Sequence, residues 1–260
     1  MPQKKVRLED LFSLKKSGTT ISALTAYDYF TGRVCEAAEV DIVLVGDSVM
    51  HVVYGEEDTF GATVAIMERH TRAVRKSVEK SFLAVDMPFL SYPDLESAVS
   101  NAKQLLSAGA EAVKMEGGGG MIPIIEKLVS SGVVVFGHLG FTPQHVHRLS
   151  GYKMQGKTKP DKAFLLAEAQ RLEKAGISLL VLEMMPNDIS KKISETLSIP
   201  VIGCGAGKDC DGQILVFHDL FGMSPYKPSF AKEYEDVEKQ FVAVVEKYIG
   251  EVRKGQFPST

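Results

Sequence analysis

Two aspartates, two glutamates, a lysine and a histidine stand at or just past the ends of short apolar runs in this 260-residue chain. Asp47 and Ser48 follow the run at 42–46, and Asp86 follows 82–85. Lys114 and Glu116 belong to the end of the run that starts at 112, and His138 follows 133–137. Glu183 follows 179–182, and Cys204 follows 201–203. Short continuous apolar runs read as strands buried on both faces of a parallel sheet. Their carboxyl ends open into the crevice where ligands bind, so a polar residue there has no core role. Six such endings read as one site assembled from many strand ends.

The residue types suggest the chemistry. Two carboxylates close together in a buried site repel unless a cation separates them. All-oxygen ligands favour a hard ion, and Mg²⁺ takes one or two carboxylates plus waters and substrate oxygens. Asp47 and Asp86 are therefore candidate metal ligands, with Glu116 completing the sphere directly or through water. The plainer alternative makes these acids loop ion-pair partners or helix caps. Lys114 lies two residues before Glu116, so both point to the same side of a strand. It suits an anionic substrate as counter-ion; a partner for Glu116 alone, or Schiff-base chemistry, are the other readings. The apolar collar around Glu183 suits it to proton transfer, against a purely structural, hydrogen-bonded acid. His138, close to Gly137 and Gly140 at a strand end, is expected near a ligand.

Other features carry less. His145 and His147 lie on one side of an extended segment, but no third ligand is indicated, and a solvated loop is expected. His51, His70 and His218 receive no role. Glycines 117–120 lack the Gly-Lys-Ser/Thr ending of a phosphate loop. Gly203-Cys-Gly-Ala-Gly207 matches a dinucleotide fingerprint only loosely, since its third glycine is misplaced. It fits a tight turn as well as a close approach to a ligand. The three cysteines, Cys35, Cys204 and Cys210, match no zinc spacing and read as reduced thiols; only Cys204 lies at a strand end.

The elements that must position these residues alternate along the chain. Strands are expected at 20–25, 41–45, 82–85, 112–115, 133–136, 179–182 and 201–204, with a weak eighth at 213–217. Helices are expected at 7–16, 29–39, 63–79, 95–108, 122–130, 162–175 and 188–197, with an amphipathic last helix at 232–253. Gly109 and Gly176 serve as helix stops, and 140–160 is a long loop. Repeated βα units imply right-handed crossovers and a parallel sheet. About eight units in a chain near 250 residues fit a closed (β/α)₈ TIM barrel better than an open sheet. An N-terminal helix and an extra C-terminal helical segment flank it. No linker divides the chain, so 1–260 is read as one domain.

Composition excludes several classes. A net charge of −3 with mixed signs gives no footprint for nucleic acid or an anionic membrane. No run approaches the roughly 20 apolar residues of a membrane span, and the first twelve residues carry no signal-peptide core. A soluble cytoplasmic protein is the expectation.

Ordered motifs across nearly the whole chain resemble those of the ketopantoate hydroxymethyltransferases. They are Thr25-Ala-Tyr-Asp-Tyr29, Leu44-Val-Gly-Asp-Ser48, Asp86-Met-Pro-Phe89 and Val113-Lys-Met-Glu-Gly-Gly118. Further on come Gly137-His-Leu-Gly-Phe-Thr-Pro-Gln144, Gly151-Tyr-Lys-Met-Gln-Gly156, Leu182-Glu183, Ile202-Gly-Cys-Gly-Ala-Gly207 and Asp211-Gly-Gln-Ile-Leu-Val216. The chain departs from the family pattern at Thr59-Phe-Gly-Ala-Thr63, Phe141 and Cys204, which touches local loop shape. The resemblance implies a TIM barrel assembled as a decamer of two pentamers. It implies Mg²⁺ on Asp47 and Asp86 with Glu116 close by, and Ser48 and Lys114 on the carboxylate of 3-methyl-2-oxobutanoate. It makes Glu183 the base that removes the C3 proton, through a metal-stabilised enolate. The one-carbon donor would be 5,10-methylenetetrahydrofolate and the product 2-dehydropantoate, a precursor of pantothenate and coenzyme A. Two other readings are a related Mg²⁺-dependent lyase or mutase of the phosphoenolpyruvate mutase and isocitrate lyase type, and a metabolite-binding or assembly protein on a barrel scaffold.

Overall fold

The computed structural model describes residues 4–258. From the amino terminus come α1 (Leu8–Ser17), β1 (Ile21–Thr25), α2 (Tyr29–Ala37), β2 (Ile42–Val45), the single turn α3 (Val49–Val52) and α4 (Val64–Arg75). Then follow β3 (Phe82–Asp86), α5 (Leu95–Ser107), β4 (Ala112–Glu116), α6 (Ile122–Ser130), β5 (Val135–Gly140) and α7 (Lys159–Lys174). The last are β6 (Leu179–Glu183), α8 (Asn187–Thr196), β7 (Val201–Cys204), β8 (Gly212–Leu215), the short α9 (Phe217–Leu220) and α10 (Val237–Arg253). All eight strands are parallel, and β1 pairs with both β2 and β8, so the sheet closes into a barrel.

The period-2 alternation of strands divides the apolar residues between two cores. Ile21, Ala23, Ile42, Leu44, Phe82, Ala84, Phe136, Leu179, Val181 and Ile202 fill the barrel interior, with Phe82 stacked on Phe136 at 5.7 Å between centroids. Leu11 of α1 is fully buried in the same cluster, so α1 packs onto the interior core. Val43, Val45, Leu83, Val85, Val113, Met115, Leu180 and Leu182 face the other way and pack under the helices. The same alternation carries forward to the strand ends. Asp86 continues Phe82 and Ala84; Lys114 and Glu116 continue Ala112; His138 continues Phe136; Glu183 continues Leu179 and Val181. The interior core therefore aims these polar side chains inward at one end.

Several boundaries differ from the sequence expectation for local reasons. Helix α4 stops at Arg75 rather than near 79, where the Ser77 hydroxyl and the Ser77 and Val78 amides all bond to the Val74 carbonyl. β5 begins at Val135 and runs on to Gly140, so His138 lies within the strand. α7 starts three residues early because Thr158 caps it in a capping box with Asp161. α10 starts at Val237, where the Asp236 side chain accepts from the Lys239 amide. β8 is confirmed but short, because the amide of Phe217 turns aside to the Thr25 hydroxyl.

Barrel closure between β8 and β1 rests on Gly212. A Cβ there would lie 2.4 Å from the Ile21 carbonyl oxygen and 2.6 Å from the Ile202 side chain. Gly212→Ala should lower stability by about 1–3 kcal/mol in urea unfolding, the usual cost of overpacking. Gly120→Ala, with nothing within 4 Å, should stay near the wild-type midpoint.

Candidate active site

Asp86, Lys114, Glu116 and His138 come from three adjacent strands whose register sets them side by side. Asp86 pairs with Lys114 across β3 and β4, and Glu116 with His138 across β4 and β5. Asp47, just past β2, is tied to them through its amide, which donates to Asp86 Oδ2 at 2.9 Å. The two aspartates therefore converge as the strand-end pattern expects. Lys114 is the cation at the centre. Its Nζ lies 3.0 Å from Asp86 Oδ1 and 3.8 Å from Glu116 Oε1. His138 Nδ1 is 3.2 Å from Glu116 Oε1, and Nε2 is 3.3 Å from Glu183 Oε2, the latter without the alignment of a hydrogen bond. All but Glu183 are almost fully buried; the Glu183 side chain keeps 18% exposure.

Electrostatics follows from burial and crowding. Burial opposes a charged Lys114, but Asp86, Glu116 and Asp47 outweigh it and hold its pKa above the usual lysine value. Burial and the Lys114 charge both act to lower His138; Glu116 and Glu183 overcome them and hold it up to about 9. The imidazole is then doubly protonated at neutral pH, so Nδ1 donates to Glu116. Burial works against ionised Glu116, yet His138, Lys114 and the Gln144 amide keep its pKa below the usual carboxylate value. Asp47 has the opposite fate. Burial, then repulsion from Asp86 and Glu116, push it well above the carboxylate range. Four carboxyl groups thus stand against two cationic side chains, and the deficit of positive charge falls on Asp47.

Three residues essential to this geometry escaped the residue-by-residue reading. Gln144 is buried, and its Nε2 donates to Asp47 Oδ2 and to the Met87 carbonyl, both at 2.9 Å. Its backbone N–H donates to Glu116 Oε2 at 3.0 Å. The Tyr92 hydroxyl donates to Gln144 Oε1 at 2.6 Å, and the Tyr27 hydroxyl meets Ser48 Oγ at 2.8 Å. A hydrogen-bonding glutamine after Thr-Pro was the available signal for Gln144; Tyr27 fell within a quoted motif without a role, and nothing local marked Tyr92. His145 and His147 do not form a ligand pair. Their segment holds a 3₁₀ turn over Pro143–His145 and is not extended; His147 is exposed, its ring 5.1 Å from that of Phe60. Cys204 faces the interior opposite Glu183, and burial, then Glu183, raise its thiol well above the usual value. It is a protonated, poorly nucleophilic thiol.

Asp47, Ser48, Asp86, Lys114, Glu116, His138 and Glu183 line one cavity of about 660 Å³ at the carboxyl ends of the strands. Among the described residues, no three Asp, Glu, His or Cys side chains hold an ion by protein atoms alone. Both Glu116 oxygens are already engaged, by His138 and by the Gln144 amide. An ion placed there would need water or ligand oxygens to complete its coordination.

A sequence model of ketopantoate hydroxymethyltransferase matches residues 5–260. The chain belongs to the ketopantoate hydroxymethyltransferase family. Within and around that family, the chain is 47% identical to the 3-methyl-2-oxobutanoate hydroxymethyltransferase of Alteromonas mediterranea, over 98% of this chain and 97% of that one. It is 44% identical to the enzyme of the same name from Pyrobaculum arsenaticum, over 100% and 97%. Among solved structures, phosphonopyruvate hydrolase in complex with oxalate and Mg²⁺ superposes with a TM-score of 0.65 at 14% identity, covering 97% of this chain and 89% of that one. A 2,3-dimethylmalate lyase of the phosphoenolpyruvate mutase and isocitrate lyase superfamily gives 0.60 at 14%, covering 95% and 88%. These distant likenesses show the barrel alone; the family match sets the chain apart from the lyases that share it.

The His138 environment is directly testable in this ketopantoate hydroxymethyltransferase family member. In metal-free protein, ¹⁵N NMR should show His138 titrating near pH 9, and Glu116→Gln should lower that value. Its folded pKa lies above the unfolded value near 6.5. Its stabilising contribution is thus complete below that pH and is lost as pH rises through about 9. Titration at or below 6.5 would contradict the charge assignment.

Proposed function

We propose that this chain transfers a hydroxymethyl group from 5,10-methylenetetrahydrofolate to C3 of 3-methyl-2-oxobutanoate, giving 2-dehydropantoate. One water is consumed and tetrahydrofolate leaves. The observation that carries this reading is the meeting of Asp47, Asp86, Lys114 and Glu183 in one cavity. The names of the 43–47% identical relatives support it.

The donor set fits a divalent cation such as Mg²⁺. Four carboxyl groups face two cationic side chains, and the second Asp47 oxygen accepts no hydrogen bond among the described residues. Asp47 and Asp86 would hold the ion, with Glu116 beside them; when bound, it would stabilise negative charge developing on the keto oxygen as a Lewis acid. Lys114 and Ser48 bind the substrate carboxylate, Lys114 by charge and Ser48 through a hydroxyl steadied by Tyr27. Of the four inner carboxylates Glu183 is the most exposed, at 18%. It takes the proton from C3, with the His138 ring 3.3 Å away as its cationic neighbour. C3 then attacks the one-carbon unit. A lyase that uses a loop cysteine as proton donor is disfavoured by the family match, which spans residues 5–260.

We also infer a homo-oligomer, a decamer by family resemblance, working in the cytoplasm. Helix α10 supports the assembly: Phe241, Val244, Val245, Tyr248 and Val252 are exposed, and none of its residues is buried. No helix among the described residues is long and apolar enough to cross a membrane.

In deuterium oxide the C3 proton of the oxo acid should exchange when Mg²⁺ is present and folate absent, followed by ¹H NMR. Glu183→Gln should slow that exchange at least a hundredfold, the low end of general-base effects; an unchanged rate would remove Glu183 from its role. Light scattering should give a particle of ten chains, and Val245→Glu should yield smaller species. A monomeric wild type would reject the assembly.

A further inference from the structure

The cavity of about 660 Å³ falls in the size range of sites for drug-sized ligands. A five-carbon oxo acid held at Lys114 and Asp86 occupies only its inner part. The outer part is walled by Val52, Tyr152, Val216, Pro225, Tyr226 and Phe230. Residues 224–230 form a strap across this side of the mouth. At one end Phe230 lies over Gly205 just past β7, where a Cβ would come within 2.5 Å of its ring. At the other, Tyr226 meets His51 of α3 edge-on, with 5.8 Å between centroids. Tyr152 lies near the same place: burial raises its hydroxyl pKa, and the charges of Glu183, Asp58 and Tyr226 add to the effect.

Asp219 on α9 opens onto the same cavity and is 9% exposed. Oδ1 accepts from the Ser224 hydroxyl, at the start of the strap. Among the described residues no cationic side chain pairs with it, and its second oxygen has no partner. The proposed chemistry at C3 makes no use of it. A carboxylate with a free oxygen, opening onto a cavity partly walled by aromatic rings, fits a flat heteroaromatic ligand that carries two neighbouring N–H donors.

We propose that this outer half of the cavity seats the pterin ring of the folate, with Asp219 accepting from its 2-amino and N3–H groups and Tyr226 against its face. The assignment rests on the transferase reading above. Ser224 then has a definite part: it ties the carboxylate to the strap that supplies the aromatic wall. The inner acids act on the oxo acid, and the outer carboxylate orients the one-carbon donor above it.

Calorimetric titration with tetrahydrofolate tests this. Asp219→Asn should weaken binding at least tenfold, while metal-dependent C3 exchange without folate falls no more than threefold. Tyr226→Ala, which removes an exposed side chain, should weaken binding at least fivefold. A 2-desamino analogue of tetrahydrofolate, which keeps only the N3–H donor, should lose less affinity on Asp219→Asn than tetrahydrofolate does. Unchanged tetrahydrofolate affinity in both variants overturns the proposal. So does an Asp219→Asn protein that loses exchange and folate binding together, which would mark a structural role. Absence of C3 exchange in wild type would instead overturn the transferase reading itself.

Discussion

The site depends on one buried ammonium. Lys114 sits on the inward face of β4 with Asp86 at 3.0 Å and Glu116 at 3.8 Å, nearly out of reach of water. Bringing a lysine and several acids into the same buried space is costly unless each charge has partners. Lys114 meets that condition for Asp86, and Glu116 is completed by His138 and the Gln144 amide. Asp47 is the member left over. Burial first, then repulsion from Asp86 and Glu116, raise its pKa in a cage that holds more carboxyl than cationic groups. A cage so biased has a physical reason to bind a cation, and that bias is available before any substrate arrives.

The barrel makes the cage rigid. Each charged side chain continues the inward row of its own strand, below which Phe82, Ala84, Phe136, Leu179 and Val181 are packed. The polar groups therefore cannot swing away without disturbing the interior core. Gln144 and Tyr92 extend this rigidity into the loops, since one amide side chain bonds Asp47, the Met87 carbonyl and the Tyr92 hydroxyl. Preorganisation of this kind lets a site stabilise developing charge without rearranging at the moment of reaction.

The strand ends were legible in the sequence because a buried parallel strand announces itself locally. An apolar run that stops at Asp86 or Glu183 tells both the element and its polar end. The spacing of Lys114 and Glu116 gave their shared face. What stayed hidden arises from long-range contacts. Gln144 reaches Asp47 across 97 positions and Tyr92 across 52, and no periodicity encodes either pairing. The strap at 224–230 contains Pro225, Pro228 and no repeating pattern, so only the fold reveals that it walls the cavity. The extended reading of 145–147 failed because Pro143 starts a 3₁₀ turn there. β8 was faint because its four residues include Gly212 and an exposed Gln213.

On this reading, an excess of buried carboxylate recruits a divalent ion to hold the oxo acid beneath Glu183. A crystal structure with Mg²⁺ and 3-methyl-2-oxobutanoate tests it most directly. One ion should touch the carboxylates of both Asp47 and Asp86, with the substrate carboxylate near Lys114 and the Glu183 carboxylate facing C3. An oxo acid bound with no ion between the aspartates, or with C3 turned away from Glu183, would contradict it.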